Sequence, residues 1–554
     1  MGKRVLKIFS KEFILTIIIV AALMGADQII KRALTDPSTV LPVPINKEFF
    51  LTSAHVALLG LGIFVLYKIV QSTIYRLKTG RNYGVDHSKY KRSYSELVKY
   101  FCIADTHLHN LDGFKAEKWE KAEGIMFGTV GRKLINLPSD SEGNIFVAGS
   151  PGSRKTTGVV IPTCARYGGS VLAIDIKGDI YNFCKDYRSI LRFCPDLKDE
   201  KGNSIAIENS AHFNPFGSLS GMSESDKKLF LENMALALIP DKGSSDGDYF
   251  SSRARNLFVG ITHFLLSLKS DLTFPELLHA ILHHQQPSGI QIEPFPIDVF
   301  GWVNTIRQSD CLAAVERVAS LYRNSEKNVS GAFDCLATAL TPFSNNILDT
   351  LLDGKGSSIS CKSLEDGYDI YLQIDQDNLL VYAPLFTMMV SSFISDFTRR
   401  PDTSTRAKNR PILILLDEFP QLSFNYDMIN SALSTLRSKS VQCMRIAQNV
   451  AQLSREYQND GWRSLLGNCQ YQLVLGTNEE LTQKHFSTLF GSRRILKISN
   501  SDSLPKTPRE KESRTITEDR EPIYQMEDFG DLGDRLIIYY NGKRIEAKKI
   551  WCYE

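Results

Sequence analysis

The chain has 554 residues, with 65 Lys and Arg against 62 Asp and Glu and a formal net charge of +3. That near balance excludes attachment to nucleic acid through bulk charge, so such contacts have to come from local patches. Ten cysteines stand singly with no C-x-x-C pair, which excludes a zinc ribbon and a disulfide framework and suits a reducing compartment. The length allows about two to four domains.

Two apolar runs open the chain, Phe13–Ile30 and Phe49–Val70. Each has the length of a helical membrane span, roughly 20 residues. Lys3, Arg4, Lys7 and Lys11 precede the first; Lys68, Arg76, Lys78, Arg81, Lys89, Lys91 and Arg92 accompany the end of the second. The segment between them has only Lys31, Arg32 and Lys47, so the positive-inside rule predicts that both ends face the cytoplasm. Residues 1–75 therefore read as a membrane anchor with two transmembrane helices. A signal peptide followed by a buried helix is the competing reading, and no clean A-x-A site supports it. Residues 76–143 are polar and mixed, a linker with room for small strands.

The segment Asn144–Gly158, NIFVAGSPGSRKTTG, runs from an apolar strand through a glycine-containing loop into an apolar helix. That is the order of a P-loop, in which backbone N–H groups and a lysine surround phosphate and a Ser/Thr hydroxyl meets Mg²⁺. Gly149, Ser150, Pro151, Gly152, Ser153, Arg154, Lys155, Thr156 and Thr157 are the expected phosphate-binding residues. The pattern G-x-x-x-x-G-K-[ST] fails at one position, where Arg154 stands in place of glycine. If that position needs positive φ, a side chain there costs on the order of 1–2 kcal/mol. A degenerate, weakly binding loop is the alternative.

Short apolar runs then end in polar residues: VLAID at Asp175, ILILLDE at Asp417 and Glu418, MRIAQ at Gln448 and QLVLGTN at Asn478. Continuous apolar strands separated by helical segments predict a parallel sheet covered on both faces, with ligands at the carboxyl ends of the strands. Asp175 and Asp417 compete as the Mg²⁺-side carboxylate. Asp417 is chosen because Glu418 follows directly, which gives one carboxylate for the metal and one for a water. Gln448 is the candidate γ-phosphate sensor, with a capping role as its alternative. Arg437 reads either as an arginine finger acting across a subunit interface or as a surface arginine. His279 and His283 have i, i+4 spacing but no third ligand in view, so a packed or solvated helix face is preferred.

From about 222 to 345 the pattern is helical. Phe230, Met234, Ala237 and Leu238 share a face after a Ser223…Asp226 start, and Phe250, Ala254, Leu257, Phe258, Ile261 and Leu265 repeat the spacing. Pro275 begins another helix. The expected organisation is thus a nucleotide-binding domain in two parts, 144–221 and 346–554, around an inserted all-α domain at 222–345. Residues 492–522, rich in Arg, Lys, Ser, Thr, Glu and Pro, read as a mobile crossing loop. A last strand pair turns at Asn541-Gly542.

Together these motifs resemble the type IV secretion coupling proteins, the TraG/TraD-like ATPases of conjugation. The resemblance rests on the two spans, GSPGSRKTTGVVIP, IDIKGDIY, FNPF at 213–216, SRARNLF at 252–258, LLDEFPQL, IAQNVAQL and GTNEELTQKHFSTLFG. It departs at Arg154 for glycine, Ile176 for proline and Asp179 for glutamate. It implies an α/β fold, a RecA-like P-loop NTPase domain with the inserted helical domain, held in the bacterial inner membrane with its bulk in the cytoplasm. It also implies a homo-hexamer using ATP and Mg²⁺, with relaxase-bound DNA, single-stranded by expectation, or protein effectors delivered to a type IV secretion channel. On this reading Lys155 and Thr156 hold phosphate and Mg²⁺, Asp417 holds Mg²⁺ through water, Glu418 activates water, Gln448 senses the γ-phosphate and Arg437 acts in trans. The alternatives are an FtsK-like DNA translocase and a non-hydrolysing substrate receptor.

Overall fold

The apolar runs become neighbouring strands because each is buried on both faces, an environment that favours β-branched and aliphatic side chains. In the computed structural model the described residues are 115–118, 121–219, 221–241, 245–322, 326–355, 358–403, 409–500 and 514–552. The two expected membrane spans lie outside them. β1 (Lys115–Glu117), β2 (Ile125–Val130) and β3 (Lys133–Leu137) precede β4 (Ile145–Ala148). β5 (Ser170–Ile176), β6 (Ile190–Phe193), β7 (Asp369–Ile374), β8 (Ile412–Leu416), β9 (Val441–Ala447) and β10 (Tyr471–Val474) follow. Every residue of β4, β5, β8, β9 and β10 is buried.

These strands form one sheet with β13 (Arg535–Tyr540) and β14 (Lys543–Lys548), in the order β1-β3-β2-β14-β13-β10-β4-β9-β8-β5-β7-β6. From β10 to β6 all neighbours are parallel; from β10 to β1 they are antiparallel. The β13–β14 hairpin turns at Asn541 and Gly542, both at positive φ, as a two-residue hairpin requires. Its register sets Tyr540 opposite Tyr471, and the two rings stack at 4.4 Å.

Between β6 and β7 the chain is helical. The helix Glu224–Leu238 is capped by Ser223, whose hydroxyl accepts from the Asp226 N–H. Phe274–Leu282 starts with a full capping box of Thr273 and Glu276, with Pro275 in its first turn. Trp302, Leu257, Phe258 and Ile261 are fully buried among these helices. Asn346–Leu351 and Cys361–Glu365 lead back to the sheet. The helix Leu379–Thr398 is apolar and long enough to cross a membrane by composition, but it is a core helix: Leu385, Phe386, Met389 and Phe393 are buried.

Where the sequence predicts a mobile loop or crossing segment at 492–522, the described residues form two strands. β11 (Ser492–Asn500) and β12 (Arg514–Pro522) pair as a separate two-stranded sheet. Their β-branched residues, Ile495, Ile498, Thr515, Ile516 and Thr517, favour extended backbone despite the charged composition.

A buried ion pair fixes the start of β7. Asp369 accepts from Arg188 Nε at 2.5 Å, from Arg188 Nη2 at 2.8 Å and from the Val171 N–H at 2.9 Å. Arg188 also donates to the Tyr167 and Gly169 carbonyls. Burial outweighs the arginine's attraction and lifts the Asp369 carboxyl above its usual range. Asp369→Ala leaves the Arg188 guanidinium without its countercharge, and a loss of about 3–5 kcal/mol is expected. A fall in the urea midpoint of the full chain measures it; an unchanged midpoint would show that the pair contributes nothing net.

Candidate functional site

The loop after β4 is tied to the ends of its two neighbours. The Gly149 N–H donates to Ala447 O at 3.3 Å, at the end of β9, and the Ser150 N–H donates to Gly476 O at 2.9 Å, just beyond β10. Gly149 permits close packing, since a Cβ there would stand 2.5 Å from Ser153 Oγ. Gly152 has φ +76° and Arg154 φ +69°, so the loop turns twice through left-handed backbone before the helix. The helix opens with a π-helical turn, Thr156–Val160, and continues as Ile161–Arg166. Such turns recur at functional sites.

Lys155 Nζ folds back over the loop, donating to Gly149 O at 2.5 Å and weakly to Ser150 O at 3.4 Å. Burial lowers its pKa, opposed by the charges of Glu418 and then Asp417. Ser153 Oγ is buried without a hydrogen-bond partner. An unpaired hydroxyl, a lysine and left-handed turns that expose N–H groups are the donors that a phosphate chain needs.

Asp417 directly follows β8 and is buried. Burial and the neighbouring Glu418 push its pKa up to about 6. Glu418 sits in the left-handed region at φ +48°, an unusual conformation for a residue with a Cβ. Its two oxygens accept from Gln448 Nε2 at 3.0 Å and Gln421 Nε2 at 3.3 Å. Capping of the helix Val450–Glu456 falls to Asn449, which accepts from the Gln452 N–H. Gln448 is thereby left to face Glu418. Lys155, Asp417, Glu418 and Gln448 thus gather at the carboxyl ends of β4, β8 and β9.

Asp175 has a different occupation. Its oxygens accept from the Ile180 and Tyr181 N–H groups at 3.2 and 2.8 Å, fixing the turn that opens the helix Asp179–Cys184. Burial raises its pKa to about 7. Arg437 precedes β9 and so lies at the amino ends of the strands, away from this chain's own phosphate loop. It is half exposed and pairs with Glu142 Oε2 at 3.0 Å. His279 and His283 bond to Asp349 and Ser344, and no group of three metal-ligating side chains occurs among the described residues.

Beside the loop lies a cleft of about 520 Å³, lined in part by Ser150, Arg154, Thr477, Asn478, Asp534 and Lys549. That volume is in the range of small-molecule sites. Lys549 Nζ donates to Leu475 O at 2.6 Å and Gly533 O at 2.9 Å. Burial and then Arg154 lower its pKa to about 8. The Arg154 guanidinium lies over the Trp551 ring, 4.3 Å from its centroid. Such a contact contributes about 0.5–1 kcal/mol at an exposed site, against about 1–2 kcal/mol for a side chain in the left-handed region. The stack offsets part of the strain that Arg154 brings.

A family model described as type IV secretory system conjugative DNA transfer matches residues 107–554. The chain belongs to that conjugative DNA transfer family. Among its relatives, VirD4 of Agrobacterium fabrum is 22% identical over 397 residues, covering 68% of this chain and 54% of VirD4. A TraG conjugal transfer protein of Escherichia coli is 22% identical over 417 residues, covering 69% and 62%. The chain therefore spans roughly half to three-fifths of the length of these relatives. The conjugative coupling protein TrwB shares the fold. Its structure with the ATP analogue ADPNP aligns with TM-score 0.56 and 16% identity, covering 78% of this chain and 90% of TrwB. Its structure with ADP and Mg²⁺ aligns with TM-score 0.55 and 16% identity, covering 79% and 94%.

In this member of the conjugative DNA transfer family, sequence reasoning missed the cleft, Lys549, Trp551 and Gln421. Gln421 lies within LLDEFPQL and had a local signal, three residues after Glu418 on a short helical turn. Lys549 and Trp551 had none, because only the pairing of β14 brings them to the loop.

The raised pKa of Asp417 has a consequence for stability. The folded carboxyl holds its proton up to about pH 6, whereas in the unfolded chain it ionises near its ordinary value. The native state therefore binds more protons between those limits, and this group's contribution to stability falls as pH rises through them. Asp417→Asn removes the penalty and is expected to stabilise the nucleotide-free protein at neutral pH by up to about 3 kcal/mol. Its advantage should shrink as pH falls from 6 to 4, read by thermal unfolding at each pH. A variant less stable than wild type at pH 7 would contradict this.

Proposed function

We propose that this chain is a membrane-anchored, hexameric ATPase that couples recruited substrate to a type IV secretion channel. Its substrates are relaxase-bound DNA, protein effectors or both, and ATP hydrolysis drives their movement. The observation that carries the reading is the Glu418–Gln448 hydrogen bond beside Lys155 and Asp417, at the carboxyl end of a parallel sheet. The two apolar runs at 13–30 and 49–70 would hold the chain in the inner membrane.

The chemistry follows from the residues. The N–H groups of Gly152, Arg154, Lys155, Thr156 and Thr157 and the Lys155 ammonium bind the β- and γ-phosphates. Thr156 Oγ1 and the Asp417 carboxylate, the latter through water, would hold Mg²⁺, which neutralises charge developing on the phosphate oxygens. Glu418 accepts the proton of the attacking water, and Gln448, bonded to the same carboxylate, orients that water and registers the γ-phosphate. The attack forms a bond from water oxygen to γ-phosphorus and breaks the bond to the ADP oxygen. Arg437, exposed on the surface, would reach the site of a neighbouring subunit. The cleft beside Arg154 would take the nucleoside.

Glu418→Gln in the full chain, in detergent or lipid, should lower ATP turnover by about 10²–10³-fold while leaving Mg·ATP binding within about twofold. Lys155→Ala should lose both. A wild-type chain with no turnover, with or without single-stranded DNA, or turnover indifferent to Lys155→Ala, would favour a non-hydrolysing docking receptor.

A further inference from the structure

Arg154 occupies a position where the phosphate-loop pattern has glycine, and it does so at φ +69°. A strained residue persists only where its surroundings over-determine it. Here the surroundings are the segment after β14. The Lys549 N–H donates to Asp534 O at 2.7 Å, and Lys549 Nζ is forked between Leu475 O and Gly533 O. Ile550 O lies against Gly158 in the first turn of the helix, where an added Cβ would stand 3.3 Å from it. Lys549 and Ile550 are buried. The backbone at 549–550 is thus anchored to the residues flanking β10 and β13 without help from Arg154, and it carries Trp551, whose ring lies under the guanidinium.

We propose that Trp551 is a positioning residue of the phosphate loop: by stacking on Arg154 it holds the 152–155 turn in the conformation that accepts a nucleoside triphosphate. The inference deepens the nucleotide reading above and rests on it. A glycine at this position needs no anchor, since glycine adopts positive φ freely. An arginine there does, because its side chain has to be parked away from the phosphate seat. The loop departure at Arg154 and the aromatic at Trp551 are therefore two halves of one device. Trp551 acts through Arg154, not on substrate.

The test is a double-mutant cycle in the full-length protein, with Mg·ADP as probe in isothermal titration. Trp551→Ala should weaken Mg·ADP by about two- to fivefold, and Trp551→Phe, which keeps an aromatic face, by less. Arg154→Gly sets a new baseline, and adding Trp551→Ala to it should change affinity by less than about twofold. An equal loss in both backgrounds, or no loss in the arginine background, overturns the proposal. Thermal unfolding without nucleotide separates the two readings. If wild type binds no Mg·ADP, the nucleotide reading fails. The stacking claim is then judged on whether the melting-temperature loss from Trp551→Ala shrinks in the Arg154→Gly background.

Discussion

Lys155 and Asp417 sit where burial penalises charge, and each feels the charge of the other and of Glu418. The lysine loses pKa to burial and regains part of it from the two carboxylates. Asp417 gains pKa from burial and from Glu418, and loses part of it to Lys155. Neither side is satisfied by the arrangement alone. The two carboxylates act on the ammonium electrostatically, while the ammonium spends its hydrogen bonds on carbonyls of its own loop. On the proposed reading a triphosphate with a divalent cation would relieve both, the anion meeting the lysine and the cation the aspartate. The remaining structure can be understood as the means of holding this unfavourable cluster together.

The sheet does most of the holding. Residues far apart in sequence meet because β4, β9 and β8 are adjacent and parallel, so their carboxyl ends open on one side. The loop is fastened to both flanks by backbone bonds to Ala447 and Gly476. The long helical stretch between β6 and β7 does not disturb this. It leaves from one edge of the sheet and returns beside β5, where the Arg188–Asp369 pair locks the returning strand. Asp175, the other acidic strand end, is used up in opening a helix, which leaves Asp417 for the site.

What was legible in the sequence followed from periodicity and from local motifs. β4 and β8 were readable because strands buried on both faces are uniformly apolar; β9 was readable only over Met444–Ala447, its pattern being broken by Gln442 and Arg445. The gathering of Lys155, Asp417, Glu418 and Gln448 was readable because each ends such a strand or follows it at once. Positive φ at Arg154 was raised by the loop pattern as a condition, and the structure shows it. β6 and β7 escaped notice, lying either side of the helical stretch and carrying polar residues, Arg192 in β6 and Asp369 and Gln373 in β7. The β11–β12 pair was hidden by charged composition that masked its β-branched residues. Lys549, Trp551 and the cleft were not readable, since they reach the loop only through the pairing of β14 with β13, a long-range event with no local signature. The expected spans lie outside the described residues, and Arg437 stands at the far end of the strands, where only a neighbouring subunit would give it a phosphate to meet.

The most direct measurement is a structure of the full chain with Mg·ADPNP. The account requires Lys155 Nζ to leave Gly149 O for the β- and γ-phosphate oxygens, with the metal between Thr156 and Asp417 and with Glu418 still bonded to Gln448 beside the γ-phosphate. A nucleotide bound elsewhere, or a lysine still closed onto its own loop with the analogue present, would contradict it.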